Sequence, residues 1–298
     1  MRDDAAVRWE PMPEEGGAAP DLTASAPSAP DTLTSSDASS ASSASGASSD
    51  SSLPPLRVLV LNGSPHRANS STMHVTRAFA EGMEAVRPCV TETVHIADLD
   101  VRPCRGCLSC WGRTEGDCII RDDDIPRMKE KVLSADVIIE SFPLYFFGMP
   151  GQMKLFTDRM LCMMRTFRGQ TLPQNGGSLH GIRYEKPGRR LVLISGCAYT
   201  EAEQVYEPLL RQFDYICGAG RYTAILCPQL KTLIDVSPGP RYDRARALWR
   251  EAGSFFARHG GLDSRLTAAL RRPPFPAASY RMMMGNFWRS QKEDTHES

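Results

Sequence analysis

The sequence has no apolar run of the roughly 20 residues that a membrane-spanning helix needs. Near its N-terminus it lacks the apolar segment of a secretory signal, and the acidic residues there argue against an organellar transit peptide. No basic run indicates nucleic-acid binding. Neither the Walker phosphate-binding pattern nor GxGxxG is present, so nothing directly supports an NTPase or a dinucleotide-binding fold. These absences predict a cytoplasmic protein with no membrane span and no nucleic-acid partner.

Charge is balanced over the chain but unevenly placed. The 298 residues carry 35 basic and 35 acidic side chains. Residues 1–55 hold nine acids against two arginines, which gives −7 there and leaves +7 for the remainder. Residues 1–53 are dominated by Ser, Ala, Pro and Asp, a composition that buries too little apolar surface to fold. We therefore predict a disordered acidic tail over 1–53, and the positive remainder suits an anionic cofactor.

Apolar segments that suit buried strands alternate along the chain with amphipathic segments that suit helices. This alternation predicts an α/β fold over residues 54–261, with a doubly wound five-stranded parallel sheet in a three-layer α/β/α arrangement. We expect the strand order 2-1-3-4-5. The last helix is expected near Tyr242–Arg258, followed by a glycine cap. The expected strands lie near Arg57–Leu61, Val90–Ile96, Val137–Phe142, Leu191–Ile194 and Tyr222–Cys227.

The first strand leads into the most informative stretch of the sequence. Val58–Leu61 ends at Asn62-Gly63, a turn rich in hydroxyl and amide side chains follows, and a helix begins near Thr72. Backbone N–H groups, hydroxyls and the helix dipole together favour an anion, such as a phosphate, at such a helix N-terminus. Simple helix capping uses the same N–H groups, so the local sequence leaves both interpretations open.

Two further loops are expected beside this turn, because ligands of such sheets bind at the carboxyl ends of the strands, near the switch in strand order. Pro143–Gly148 offers aromatic and apolar surface, with Gly148 allowing close approach of a flat ring. We expect one of Phe146 and Phe147 to pack in the core. Ser195–Tyr199 supplies a small turn. A phosphate at one end and a planar ring at the other favour FMN over a dinucleotide.

These motifs resemble a known family. The segment GSPHRANSST is similar to the GSPRxxSNT phosphate loop of the NADPH-dependent FMN reductase and flavodoxin-like family, and FPLYFFGMPGQMKLFTDRM is similar to its second loop and following helix. The match covers about Arg57–Gly196. The resemblance implies a flavodoxin-like fold and an FMN-dependent NAD(P)H oxidoreductase that passes electrons to a quinone, a flavin or an electron carrier. No catalytic residue is expected, because the flavin carries the reaction.

The resemblance also implies which residues bind FMN. Here His66 stands where Arg is common, and Asn69-Ser70 stands where Ser-Asn is common; both changes keep hydrogen-bonding capacity. The expected cofactor-binding residues are Ser64, His66, Asn69, Ser70, Ser71, Thr72, Pro143, Leu144, Tyr145, Phe146, Phe147, Gly148, Ser195 and Gly196.

A cysteine cluster, C-x2-C-x2-C-x7-C, is the second chemical signal. Its spacing resembles the iron–sulfur flavoprotein branch of the family, in which a [4Fe-4S] cluster passes electrons to FMN. That alternative implies an electron-transfer protein with both cofactors. A zinc site fits such compact spacing less well than two separated CxxC pairs would, and a metal-free, thiol-rich loop is equally compatible. The expected metal ligands are Cys104, Cys107, Cys110 and Cys118.

The rest of the chain suggests assembly rather than chemistry. Residues 165–189 are expected to form a long loop, with His180 at the surface. Asp158 and Arg159 are expected to make structural or dimer contacts. Residues 262–298 form a C-terminal arm whose apolar and aromatic residues do not suit a free tail, so we expect it to dock on its own domain or a neighbouring subunit. We expect a homodimer or tetramer, with a small-molecule or protein electron donor and acceptor.

Overall fold

The structure is a computed structural model that describes residues 54–166 and 180–293. The predicted tail over 1–53 and the middle of the predicted long loop lie outside the described residues. Within the described part of the chain, no helix combines the length and the apolarity that crossing a membrane requires.

The strands are β1 Leu56–Asn62, β2 Cys89–His95, β3 Val137–Pro143, β4 Arg190–Gly196 and β5 Thr223–Cys227. The helices are α1 Ser71–Glu84, α2 Ile125–Ser134, α3 Gly151–Arg159, α4 Ala202–Cys217, α5 Leu230–Asp235, α6 Pro240–His259, α7 Ser264–Leu270 and α8 Ala277–Glu293.

The five strands form one parallel sheet in the order β2-β1-β3-β4-β5. This confirms the predicted α/β fold and strand order. Side chains of a strand alternate between the two faces, so each central strand feeds two cores. Val58 and Val60 of β1 pack with α1 and α6, whereas Leu59 and Leu61 pack with α2, α3 and α4. The carboxyl ends of β1, β3 and β4 therefore lie side by side between two helical layers.

Two glycines bring the backbones of α1 and α6 into direct contact. A Cβ atom on Gly82 would lie 2.0 Å from the carbonyl oxygen of Arg250, and one on Gly253 would lie 1.9 Å from the carbonyl oxygen of Phe79. Ser254 Oγ also donates a hydrogen bond to the Gly82 carbonyl, at 2.8 Å. Only glycine permits this approach, which fixes α1 against the longest helix of the described residues.

The C-terminal part of the fold differs from the prediction. Helix α6 ends at His259 with Gly260 in the left-handed region, at φ +74°, which confirms the glycine cap. It is not the last helix, however, because α7 and α8 follow it. Helix α5 was also missed, since six residues are too few to show a helical period.

The C-terminal arm packs onto its own domain through its first half. Three of its buried side chains, Leu270, Phe275 and Tyr280, join the core between the sheet, α1 and α6, and Leu266 of α7 is fully buried as well. Beyond Tyr280 the arm exposes apolar surface, with Met282 65%, Phe287 47% and Trp288 60% exposed. The domain boundary near residue 261 stays a prediction.

Candidate active site

Three loops meet at the carboxyl ends of β1, β3 and β4. The backbone ties them together: Gly63 N–H donates to the Ser141 carbonyl at 2.9 Å, and Leu144 N–H donates to the Gly196 carbonyl at 2.8 Å. The loop residues that the sequence assigned to cofactor binding are thus gathered at one rim of the sheet. The parallel order of the strands accounts for this, because every strand of such a sheet ends at the same edge.

The first loop is shaped by Asn62, the last residue of β1. Its side-chain amide donates to the Arg67 carbonyl at 2.7 Å, and its side-chain oxygen accepts from Ser64 N–H at 3.0 Å. Arg67 has φ +51°, in the left-handed region, so this bond holds a strained turn in place. Sequence reasoning missed Asn62 as a positioning residue. The signal available was an amide side chain, directly before glycine, at the end of an otherwise apolar strand.

Helix α1 begins at the end of this loop. Ser70 is its N-cap: the hydroxyl accepts from Thr72 N–H at 3.2 Å and shares a hydrogen bond with Thr72 Oγ1 at 2.8 Å. Ser71, half-buried, belongs to the first turn, whose N–H groups have no partner inside the helix. His66 and Asn69 lie exposed at the mouth of the loop. Capping therefore occurs here and occupies the N–H groups of Thr72 and Met73, and the start of the helix directly follows the exposed residues of the loop.

The second loop is a tight turn with two phenylalanines in unusual conformations. Tyr145 N–H donates to the Gly148 carbonyl at 3.0 Å, and Gly148 N–H donates back to the Tyr145 carbonyl at 2.9 Å. Between them Phe146 has φ +49° and Phe147 has φ +64°. Such turns normally carry Asn and Gly, and each left-handed residue of another type costs about 1–3 kcal/mol. The strain marks this turn as a candidate site.

Both phenylalanine side chains point to solvent, with Phe146 98% and Phe147 42% exposed. The prediction that one of them packs in the core is wrong, because the left-handed turn directs both outward. Phe147 stacks on Tyr199 of the third loop, with ring centroids 5.9 Å apart and an interplanar angle of 25°. A Cβ atom on Gly148 would meet only the Tyr145 carbonyl oxygen, at 3.9 Å, so the space beside Gly148 is open. This open aromatic surface fits a flat ring.

Several of the expected cofactor residues have little exposed side-chain surface, Ser64, Ser70 and Thr72 of the first loop among them. Pro143 and Leu144 are half-buried, and Ser195 is fully buried. A Cβ atom on Gly196 would lie 2.4 Å from Leu230 Cδ2, so this glycine is needed for packing against α5. A ligand on the rim would meet the backbone of Ser195 and Gly196 rather than a side chain, and their role in binding stays a prediction.

The cysteine loop does not form a ready metal site. Cys104 and Cys107 are exposed, Cys110 and Cys118 are half-buried, and all four are free thiols. Among the described residues, no three His, Cys, Asp or Glu side chains converge as metal ligands would. Burial, together with nearby Cys118, raises the pKa of the Cys110 thiol. Four thiols are a suitable donor set for iron, but their side chains do not converge as the ligands of a cluster would. The cluster therefore stays a prediction.

Arg159, at the end of α3, anchors both ends of the cysteine loop. Its buried guanidinium forms an ion pair with Asp123 and donates to the carbonyl oxygens of Arg102, at 2.8 Å, and Ile120, at 3.0 Å. Burial opposes the charge on Asp123, but hydrogen bonds from Arg159 and from two backbone N–H groups hold the pKa of this carboxyl below its ordinary value. The role of Arg159 is structural, as expected.

The fold and the gathered loops agree with a comparison against protein families. Residues 56–237, more than half of the chain, match the model of a family described as having a flavodoxin-like fold. The chain belongs to this flavodoxin-like family. The resemblance inferred from the two loop motifs is thereby confirmed at the level of family.

Individual relatives of this flavodoxin-like protein carry two kinds of name. An iron-sulfur flavoprotein of Methanocaldococcus jannaschii is 35% identical over 108 residues, which are 35% of this chain and 51% of that protein. An iron-sulfur flavoprotein of Clostridioides difficile is 33% identical over 166 residues, 54% of this chain and 65% of that protein. An FMN-dependent NADH:quinone oxidoreductase of Pseudomonas fluorescens is 27% identical over 177 residues, 57% of this chain and 85% of that protein. The chain spans about half the length of the first curated relatives it matches.

Proposed function

We propose that this flavodoxin-like protein is an FMN-dependent NAD(P)H oxidoreductase that passes electrons through bound flavin to a quinone, a flavin or an electron carrier. The observation that carries the proposal is the pairing on one rim of a hydroxyl-lined helix N-terminus with an exposed, strained aromatic turn. The relatives named FMN-dependent NADH:quinone oxidoreductase support the same reaction class.

Each loop has a role in this proposal. The first turn of α1, with Ser70, Ser71 and Thr72, takes the FMN phosphate, because its N–H groups and dipole favour an anion. Ser64 lies at the buried end of the loop, and His66 and Asn69 lie at its solvent-exposed end. The open aromatic turn of Tyr145, Phe146, Phe147 and Gly148 takes the isoalloxazine ring.

Bound FMN supplies hydride and single-electron transfer, so the chain itself needs no nucleophile or general base. The protein's part is to bind and orient. Asn62 holds the phosphate loop in shape, and the stacked pair of Phe147 and Tyr199 excludes water from one edge of the ring. The remaining open face of the aromatic turn admits the electron donor and acceptor in turn.

A titration with FMN and with riboflavin tests this assignment, because riboflavin has the same ring but no phosphate. We expect one FMN per chain, measured by quenching of flavin fluorescence, and much weaker binding of riboflavin. The loaded protein should oxidise NADH or NADPH when a quinone is added. A protein that binds neither flavin would contradict the proposal, and equal affinity for both would contradict the phosphate site.

The second candidate is an electron-transfer protein with FMN and a [4Fe-4S] cluster. The four-cysteine loop favours it, as do the relatives named iron-sulfur flavoprotein. Iron and sulfide should be assayed in protein purified without oxygen, in wild type and in Cys107→Ser. About four irons per wild-type chain, lost in the variant, would establish this candidate. Iron-free protein that still binds FMN would exclude it and leave the reductase as the supported function.

We further propose a cytoplasmic protein that acts as a homodimer or tetramer. Nine cysteines without a disulfide support a reducing compartment, because disulfides form readily in oxidising ones. The exposed apolar residues of α8 support self-association.

A further inference from the structure

A buried glutamine joins the C-terminal arm to the candidate active site. Gln229 follows β5, is fully buried and has φ +53°, in the left-handed region. Its side-chain oxygen accepts from Phe275 N–H of the arm at 2.9 Å, and its side-chain amide donates to Thr200 Oγ1 at 3.3 Å. Its own N–H donates to the Tyr199 carbonyl at 3.2 Å. One side chain therefore bridges the arm and the third loop of the rim.

A second residue of the arm makes an independent contact with the same loop. The Tyr280 hydroxyl donates to the Ala198 carbonyl at 2.5 Å, and the Tyr280 ring is buried in the core beside Phe275. Buried polar groups must be hydrogen-bonded to avoid a desolvation cost, so both contacts constrain where this loop lies. Three consecutive residues, Ala198, Tyr199 and Thr200, are thus held from the arm, either directly or through Gln229.

The held loop carries the ring that stacks on the aromatic turn. Tyr199 lies between the two anchored residues, and its ring contacts Phe147. We propose that the C-terminal arm is a positioning element of the flavin site, with Gln229 and Tyr280 as the positioning residues that set Tyr199 against Phe147. This role rests on the proposed function. The arm lies beyond residue 237, where the match to the family model ends.

Hydrogen exchange of the protein without flavin tests whether the arm holds the loop. The variant Tyr280→Phe removes one hydroxyl and keeps the ring in the core. Its matched control is Tyr222→Phe, which removes a hydroxyl that donates to the Leu210 carbonyl and to Asp214, both at 3.0 Å and away from the rim. We expect the amides of Gln229 and Leu230, which donate to the Tyr199 and Cys197 carbonyl oxygens of this loop, to exchange faster in Tyr280→Phe and to be unchanged in Tyr222→Phe. Equal exchange in wild type and Tyr280→Phe would overturn the proposal.

Flavin affinity, measured on the same proteins, tests whether the held loop matters for the site. Loss of one hydrogen bond should raise the Kd for FMN about three- to tenfold in Tyr280→Phe and leave Tyr222→Phe at the wild-type value. Gln229→Leu, which breaks both side-chain bonds, should raise the Kd further. Faster exchange with an unchanged Kd would overturn the positioning role. Wild-type protein that binds no FMN would instead overturn the proposed function, and the exchange data would still decide whether the arm holds the loop.

Discussion

At Ser71, helix capping and phosphate binding predict different effects of a negative charge. An aspartate in the first turn of α1 interacts favourably with the helix dipole, so Ser71→Asp should keep or slightly raise the melting temperature. The same charge repels a bound phosphate, and we expect the Kd for FMN to rise at least about tenfold. Fluorescence titration and thermal unfolding measure the two effects.

Ser71→Asn provides the control, because asparagine has the size of aspartate without its charge. We expect its FMN affinity to stay within about threefold of the wild type, since only the charge should matter strongly at this position. If Ser71→Asp and Ser71→Asn bound FMN equally well, the helix N-terminus would be a cap and not the phosphate site.

The turn at Phe146 should gain stability when its strain is removed. Phe146 is almost fully exposed, so Phe146→Gly loses little packing and relieves a left-handed residue, which we expect to raise the free energy of unfolding by about 1 kcal/mol. The variant also loses aromatic surface, so its FMN affinity should fall. Denaturant unfolding and flavin titration check the two opposite changes.

Leu108→Gly is the matched control for this turn. Leu108 is also exposed and left-handed, at φ +53°, but it lies in the cysteine loop. We expect a similar gain in stability without any change in FMN affinity. A loss of FMN affinity in Leu108→Gly equal to that in Phe146→Gly would show that the aromatic turn has no special role.

Glu140, in the middle of β3, should give the protein an unusual pH dependence. Burial raises the pKa of this carboxyl to about 7, and its Oε2 has no hydrogen-bond partner among the described residues. The folded state therefore holds this proton more tightly than the unfolded state, so stability should fall as pH rises from about 4.5 to about 7. Glu140→Gln should remove this part of the pH dependence in urea unfolding.

A second variant without the carboxyl supplies the comparison. Glu140→Leu should show the same reduced slope of stability against pH between 4.5 and 7 as Glu140→Gln. A wild-type slope that Glu140→Gln does not change would mean that Glu140 is ionised at little cost in the fold.

At the scale of elements, the sequence predicted the strands and helices whose hydrophobic pattern was strong and the turns whose residue types were characteristic. The apolar runs of β1, β3 and β4 identified the sheet, and Asn62-Gly63 marked the end of its first strand. The outward orientation of Phe146 and Phe147 could not be predicted, because it follows from a left-handed turn that ordinary propensities exclude. The contacts of Gln229 also depend on residues 29 and 46 positions away in the chain, which no local pattern records.

The junction of α3 with the cysteine loop depends on the buried Arg159–Asp123 pair. Arg159→Met leaves buried Asp123 without its counterion and two carbonyl oxygens without their donor, and we expect the free energy of unfolding to fall by about 3–5 kcal/mol. On the same helix, Lys154 forms an exposed pair with Asp158 at 2.5 Å, so Lys154→Met should change stability by no more than about 0.5 kcal/mol. Similar losses in both variants would show that the buried pair contributes no more than a surface one.

For the whole molecule, the exposed face of α8 leads to a prediction about assembly. Phe287 and Trp288 are adjacent, partly exposed aromatic residues, with ring centroids 5.0 Å apart. We expect light scattering to give at least twice the mass of one chain, and Trp288→Glu to shift this mass towards the monomer because a charge opposes apolar contact. Tyr215→Glu, which changes another exposed aromatic residue, should leave the mass unchanged. A wild-type monomer would contradict this expectation.

The glycine contact between α1 and α6 has a consequence for how a cofactor is received. The helix whose N-terminus is the proposed phosphate site cannot shift without separating two backbones that already touch through Gly82 and Gly253. Its first turn is therefore oriented before any ligand arrives, and little conformational freedom remains to be lost on binding. Preorganisation of this kind favours slow release of the ligand, so the two glycines, far from the rim, would lengthen the time that a phosphate stays bound.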